Sequence, residues 1–351
     1  MGLDSSRTLV TAVVVTPETG TAGAFIIMDL LSAVGSLWET LHGDAPRPPR
    51  FLPRLVSIDG QPYADLHGVT IHPHGAFEDF PSPDIVMIPE LAIDPWKPLP
   101  NSFAAVADWI RSAHQQGALV ASLCSGSMLL SETGLLEGED ATSHWGYCDA
   151  IAQRHPGIRL RKERVLVPAG EGHRLITTGG FASWHDLLLY LVGRLAGPEE
   201  ARRLAKLFLL DWHADGQLPY AALTVTLRHN DSLVTAAQLW VADNYARPNP
   251  VADMAAQSGL TERSFLRRFK QATGQSPMQY VQTLRIEEAK QLIETSDMAL
   301  DDVAAEVGYT EASAFRRLFM RLVGVTPAAY RRRFASAPEP AAHTPGSARQ
   351  H

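Results

Sequence analysis

The sequence predicts a two-domain protein: an α/β domain with a doubly wound parallel sheet, then an all-α domain. Three observations carry this. Residues 8 to 210 alternate short apolar runs with helical patterns, the signature of a parallel sheet with crossover helices. From Ser232 onward the pattern is helical throughout. Within that helical half, a stretch of about 27 residues recurs fifty residues later. A chain of 351 residues also exceeds the usual single domain. The expected layout is a first domain over 1–211, a linker over 212–231, a helical domain over 232–334 and a disordered tail from 335 to 351, rich in Pro, Ala and Ser.

In the first domain TLVTAVVV, FLPRLVSID, DIVMIPEL, ALVASLC and HRLITTGG read as strands, rich in Val and Ile. DIVMIPEL is apolar at successive positions, as a strand covered on both faces should be. NSFAAVADWIRSAHQQG, SGSMLLSETGLL, GYCDAIAQRHP and FASWHDLLLYLVGRLAG read as helices, several ended by Gly or Pro. The last is apolar around much of its circumference and suits either a buried helix or a dimer face. WHADGQLPYAALTVTLRHND, residues 212–231, has no sustained period and two turn signals, hence the linker assignment.

The composition, 45% hydrophobic and 20% charged, excludes a broadly disordered chain. Two cysteines, Cys124 and Cys148, exclude a disulfide framework and fit a reducing, cytoplasmic setting. The N-terminus has no basic lead followed by a small-residue cleavage site. No apolar run reaches the roughly 18 residues of a membrane span, since Asp29 interrupts AGAFIIMDLL. The net charge of −7 is uneven: Asp231–Phe334 carries 13 basic and 12 acidic residues, the remainder 18 and 26. The acidity belongs to the first domain, and the placement of basic residues in the second matters more than their sum.

The repeat aligns MAAQSGLTERSFLRRFKQATGQSPMQY (254–280) with VAAEVGYTEASAFRRLFMRLVGVTPAAY (303–330). Phe265, Phe269, Gly274, Pro277 and Tyr280 recur as Phe315, Phe319, Gly324, Pro327 and Tyr330. Ahead of the phenylalanines the offset is 49, pairing Ala255, Gly259 and Thr261 with Ala304, Gly308 and Thr310. Each copy reads as a short helix with paired alanines, a turn glycine, a Thr N-cap and a second helix. That second helix turns Phe inward at i and i+4 and basic residues outward. This is a helix-turn-helix. The alternative is a pair of helical hairpins with solvated basic faces, which duplication of cap, turn and aromatic spacing disfavours.

Residues 232–334 resemble the AraC-type transcription-factor domain, with GYTEASAFRRLFMRLVGVTPAAYRRR close to that family's signature and MQYVQTLRIEEAKQLIETS as the connecting helix. Met320 departs from it, standing where Lys or Arg is frequent. The resemblance implies double-stranded DNA as partner, with both second helices in successive major grooves. Glu262, Arg263, Ser264, Arg267, Glu311, Ala312, Ser313 and Arg316 become base-reading candidates. Arg268, Lys270, Arg317 and Arg321 become phosphate candidates, and Thr261 and Thr310 the caps.

In VASLCSGSM, a strand, Cys124, small residues and a helix describe a nucleophile elbow, where the helix N-terminus favours a thiolate. His144, in ATSHW, lies at a plausible neighbouring strand end. A Cys near a His is the minimum for nucleophilic catalysis, and most such cysteines are buried hydrophobes. SLCSGSMLLSETGLLEGEDATSHW and LITTGGFASWHDLLLYLV resemble the class I glutamine amidotransferase-like superfamily in its PfpI-type branch, over roughly residues 8 to 210. Where catalytic relatives place an oxyanion-hole glycine, this chain has Glu90 and Leu91, and a carboxylate there would oppose an oxyanion. Glu18 is the candidate for the acid near the first strand end. Glu18, Glu90, Cys124, Ser125, His144 and Trp145 form the expected pocket or vestigial active site.

The union of the two resembles the GlxA-type transcriptional regulators. The reading is a dimeric regulator that senses a small metabolite, without enzymatic activity or cofactor. Competing readings are a cysteine hydrolase or amidase with a DNA-binding appendage, and a redox sensor at Cys124. His67, His72 and His74 read as surface histidines rather than metal ligands, and Trp38, Trp96, Trp109, Trp184 and Trp240 as core or interface.

Overall fold

The computed structural model describes residues 7–222 and 229–335. The chain divides into two compact units, Met1–Leu218 and Pro219–His351. Residues 212–218 of the segment read as a linker thus belong to the first unit, and the tail read as disordered falls, from residue 336, outside the described residues.

The first unit runs β1 (Leu9–Val14), α1 (Thr21–Ala33), α2 (Leu37–His42), β2 (Phe51–Ser57), β3 (Tyr63–Ala64), β4 (Thr70–Ile71), β5 (Gly75–Ala76) and β6 (Ile85–Ile88). It continues with α3 (Phe103–Gln115), β7 (Leu119–Ser122), α4 (Gly126–Glu132), β8 (Asp140–Ala141), α5 (Trp145–Arg154), β9 (Arg159–Leu160), β10 (Leu166–Ala169), β11 (Leu175–Thr178), α6 (Trp184–Leu195) and α7 (Pro198–Phe208). The main sheet has the order β10-β11-β7-β6-β1-β2-β5. All neighbours are parallel except β10 and β11. β3–β4 and β8–β9 form small separate pairs.

Strand alternation divides the apolar residues between two cores. Val13, Ile85, Met87, Leu119, Ala121 and Ile176 pack beneath α1, α6 and α7. Val14, Val86, Ile88 and Val120 pack beneath α3 and α4. This is why DIVMIPEL is apolar at every position: both faces of β6 are covered. The α6 helix buries Leu187, Leu188, Leu189, Leu191 and Val192 inside the domain, which decides between core and dimer face in favour of core.

Several elements escaped the sequence reading, among them α1, α7 and β10. AGAFIIMDLL, weighed only as a membrane candidate, is α1, with Asp29 on its exposed side. No helix among the described residues is long and apolar enough to cross a membrane. α7 carries Pro198 at its start and Glu199 and Glu200 in its first turn, which are helix-start signals. The edge strand β10, antiparallel to β11, carries Pro168 within its four residues, which argues against a strand in the sequence.

The second unit holds α8 (Ser232–Ala242), α9 (Pro250–Gln257), α10 (Glu262–Thr273), α11 (Pro277–Thr295), α12 (Leu300–Glu306), α13 (Ala312–Val323) and α14 (Pro327–Phe334). The duplication is geometric as well as sequential. Ring centroids of Phe265–Phe269 and Phe269–Tyr280 stand 5.6 and 5.4 Å apart, and those of Phe315–Phe319 and Phe319–Tyr330 stand 5.6 and 5.5 Å apart. Gly274 and Gly324 end the second helices in the left-handed region, at φ 79° and 81°. Ser276 and Thr326 then cap α11 and α14, each followed by Pro at the first helical position.

The copies differ in their turns. Thr261 caps α10, accepting from the Ser264 amide, but the N-cap of α13 is Glu311 and no side chain caps it. Thr310 is therefore not a cap, contrary to the sequence expectation. The change of offset from 49 to 50 falls inside the second turn, which moves Thr310 one position outside the helix. Thr261→Ala is expected to lower stability by about 1 kcal/mol, and Thr310→Ala by no more than a few tenths, in chemical denaturation. Equal losses would contradict this assignment.

Candidate ligand pocket and nucleic-acid interface

The strand order reverses at β1, since the chain moves outward to β2 and β5 and then returns to β6 on the other side. Ligands in such sheets bind at the carboxyl ends of the strands at this switch. The segments leaving β1 and β6 are knitted together there. Gly20 N donates to Glu90 O at 2.8 Å, Ala92 N donates to Glu18 O at 2.8 Å, and Thr19 bridges Leu91.

Next to them β7 ends in the expected sharp turn. Cys124 has φ 51°, a left-handed conformation for a non-glycine residue, as a nucleophile elbow requires. Ser143 Oγ donates to Cys124 O at 2.8 Å, which places the His144 segment beside the turn. The thiolate expectation is corrected. Burial pushes the Cys124 thiol up to about 11, the Ser125 main chain opposes this, and the charge of Glu90 adds to it. α4 is a short helix of 7 residues, and the sulfur gains less from it than it loses in solvation.

Ser125 is fully engaged. Its hydroxyl donates to Leu91 O at 2.7 Å and accepts from Leu91 N at 2.8 Å. The Leu91 amide, the position expected of an oxyanion donor, is thereby occupied. Glu90 has a structural task. α1 has no acidic residue in its first turn and no side-chain cap of its own. Glu90 Oε1 accepts from the Gly23 amide at 3.2 Å and so supplies the missing cap. Gly20 and Gly23 are required by this carboxyl: a Cβ on either would stand 2.1 or 2.0 Å from its oxygens. Burial pushes the Glu90 carboxyl up to about 7, against the hydrogen bonds that favour its charge. It is thus not a fixed negative charge at neutral pH.

His144 caps α5, its Nδ1 accepting from Gly146 N at 3.1 Å, and burial lowers its pKa. Its ring lies 4.9 Å from Trp145 and 6.0 Å from Tyr147. Tyr147, absent from the sequence reading, faces both Cys124 and Ser125, and its hydroxyl donates to Ile93 O at 2.8 Å. Its i+3 position after His144 on α5 was the available signal. Glu18 lies on the loop beside Glu90, and one of its carboxylate oxygens is buried without a hydrogen-bond partner among the described residues.

On the helix-turn-helix units, Thr261, Glu262, Arg263, Arg267, Arg268, Lys270, Thr310, Glu311, Ser313, Arg316, Arg317 and Arg321 are exposed, while Ser264 and Ala312 are half-buried. The arginines fall into two groups. Arg268 makes two hydrogen bonds to Asp231, at 2.7 and 3.2 Å, and Arg316 pairs with Asp301. Asp231 also caps α8, so Arg268 braces α10 against that cap. Arg321 reaches Gln282 at 3.4 Å. Among the described residues, Arg263, Arg267, Lys270 and Arg317 have no ion-pair partner.

The histidines set aside as surface groups, His67, His72 and His74, are all exposed, and His74 Nδ1 also accepts from Leu55 N at 3.0 Å. Trp109 stacks on Phe77 at 4.3 Å, whereas Trp96 is exposed.

Because Glu90 titrates near 7 in the folded chain and near 4.5 when unfolded, the folded state holds the extra proton between those values. Its contribution to stability is fully present below about pH 4.5 and declines as pH rises toward about 7. Glu90→Gln is expected to flatten this part of the stability profile in denaturant titrations. An unchanged slope would contradict the burial of Glu90.

Residues 50–192 match the DJ-1/PfpI family and residues 254–333 match a helix-turn-helix domain. The chain is 27% identical to the HTH-type transcriptional regulator CdhR of Pseudomonas aeruginosa, over 93% of this chain and 94% of that protein. It is 25% identical to the HTH-type transcriptional regulator GlxA of Rhizobium meliloti, over 65% of this chain and 69% of that protein. It is 34% identical to the isonitrile hydratase of Pseudomonas putida, over 42% of this chain and 61% of that protein. With a DJ-1/PfpI-type domain followed by an AraC-type helix-turn-helix domain in one chain, and likeness to HTH-type transcriptional regulators along most of its length, the protein is a DNA-binding transcriptional regulator similar to CdhR and GlxA.

Proposed function

We propose that the protein binds an operator in double-stranded DNA through α10 and α13, acts as a homodimer in the cytoplasm, and responds to a small molecule held near Glu90, Cys124, His144 and Tyr147. The observation that supports the DNA reading best is the duplicated unit itself, whose second helices expose Arg263, Arg267 and Lys270 in one copy and Arg317 in the other without ion-pair partners among the described residues. Arg263 and Arg267 open α10 and are the base-reading candidates; Arg316 can join them only by leaving Asp301. Lys270 and Arg317 suit phosphates, and Arg268 serves the fold first. The effector reading draws on a switch-point pocket whose Leu91 amide and Cys124 thiol are poorly suited to catalysis. An effector acts only if it binds two states with different affinity.

Selection from random duplexes tests this. Wild type should enrich a motif of two elements about 34 Å, one helical turn, apart. Arg263→Ala/Arg267→Ala should weaken binding at least about tenfold, since each good Arg–guanine pair is worth about 1–3 kcal/mol. No enrichment by wild type at moderate salt would sink the operator reading.

A hydrolase reading is favoured by one observation, the left-handed Cys124. Its test is thiol chemistry. Alkylation of Cys124, followed by peptide mapping, should stay slow at about pH 7.5 and accelerate only above about pH 10, as a thiol near 11 requires. Fast modification at neutral pH would revive both the enzyme and the redox sensor.

A further inference from the structure

Away from the pocket, three side chains converge where α6 begins. His185 and Asp186 lie in its first turn, and His213 arrives from the segment after α7. His213 Nδ1 stands 2.7 Å from Asp186 Oδ2, and the His213 amide donates to Asp186 Oδ1 at 3.0 Å. His185 Nε2 stands 3.5 Å from the same Oδ2. The two imidazoles are stacked, with centroids 4.6 Å apart and planes at 25°. One donor atom from each residue lies within 4.8 Å of the others, and Asp186 is 3% exposed.

An Asp–His pair that ties residues 211–217 to α6 would account for Asp186 and His213. It leaves His185 Nε2 buried and without a hydrogen-bond partner among the described residues, a state that proteins rarely tolerate without cause. The main chain of Asp211 lies beside the His185 ring and favours its protonated form. Metal-bound histidines are commonly oriented by a carbonyl at the second ring nitrogen while the first faces the ion.

We propose that His185, Asp186 and His213 bind a divalent transition-metal ion. Two imidazoles and one carboxylate suit zinc or a neighbouring first-row ion and disfavour calcium and magnesium, which take oxygen ligands. Three protein ligands leave a further position for water or an effector group. The ion would hold the same segment that braces the pocket. Four residues beyond His213, Gln217 Nε2 donates to Ser143 O at 2.8 Å, and Ser143 in turn donates to Cys124 O.

The test uses full-length, metal-free protein titrated with Co2+, with Zn2+ as competitor. One equivalent should bind with visible d–d absorption that Zn2+ abolishes. His185→Gln removes an unpartnered nitrogen and should spare the fold while weakening binding at least tenfold; His213→Gln should do the same. X-ray absorption of the zinc-loaded wild type should show two imidazoles and only nitrogen or oxygen ligands, at about 2.0–2.1 Å. Absence of stoichiometric binding, a sulfur ligand, or His185→Gln binding as tightly as wild type would each overturn the assignment. The absorption result stands even if a variant fails to fold.

Discussion

The turn after β7 is the constraint on which the first domain's site depends. The chain must pass from a central strand into α4 within three residues, and it does so by placing Cys124 at φ 51°. Such a conformation costs an ordinary residue about 1–2 kcal/mol and persists only when its surroundings over-determine it. They do so here from three sides. Ser125 clamps the Leu91 main chain, and Ser143 holds the Cys124 carbonyl. Gly126 lies so close to the β6 terminus that a Cβ would stand 2.4 Å from Pro89 O. Held in this way, the loop after β6 delivers Glu90 to the start of α1, and α1 obtains its cap.

The same contacts occupy the groups that a nucleophile elbow would use. A nucleophile needs a thiolate and a free amide facing the developing oxyanion. Here burial keeps the sulfur protonated, and the amide of Leu91 serves Ser125 instead. The strained turn is retained because the packing of β6, β7 and α1 is built around it. A fold of this kind does not by itself fix a function.

In the second domain the governing interaction is different. Each helix-turn-helix has its own aromatic core, one around Phe265 and Phe269 and the other around Phe315 and Phe319. Arg285 of α11 joins them, donating to the carbonyls of Tyr245, Arg247 and Gly308 and lying over Tyr309. Gly308, at φ 87°, approaches Ala246 so closely that a Cβ would stand 2.4 Å from its carbonyl oxygen. The second turn is thus fastened to the α8–α9 connection by a cation and a glycine, and Tyr245 of that connection packs against the second aromatic core.

The sequence by itself determined what rests on local chemistry and periodicity. Double-sided apolar strands such as Ile85–Ile88, the capping signals at Thr261 and Ser276, and the spaced phenylalanines all act through near neighbours, so their meaning is readable in order along the chain. The elbow at Cys124 was legible for the same reason. What only the tertiary structure decided were the partners drawn from distant sequence. Asp231 and Asp301 claim Arg268 and Arg316, Glu90 caps a helix that begins seventy residues earlier, and Tyr147 comes to lie near Cys124. His213 meets Asp186 across 27 positions. Even Thr310 lost its cap to a one-residue shift of the turn. Charge pairing, desolvation and capping depend on distances in space, and no periodicity in the chain encodes those.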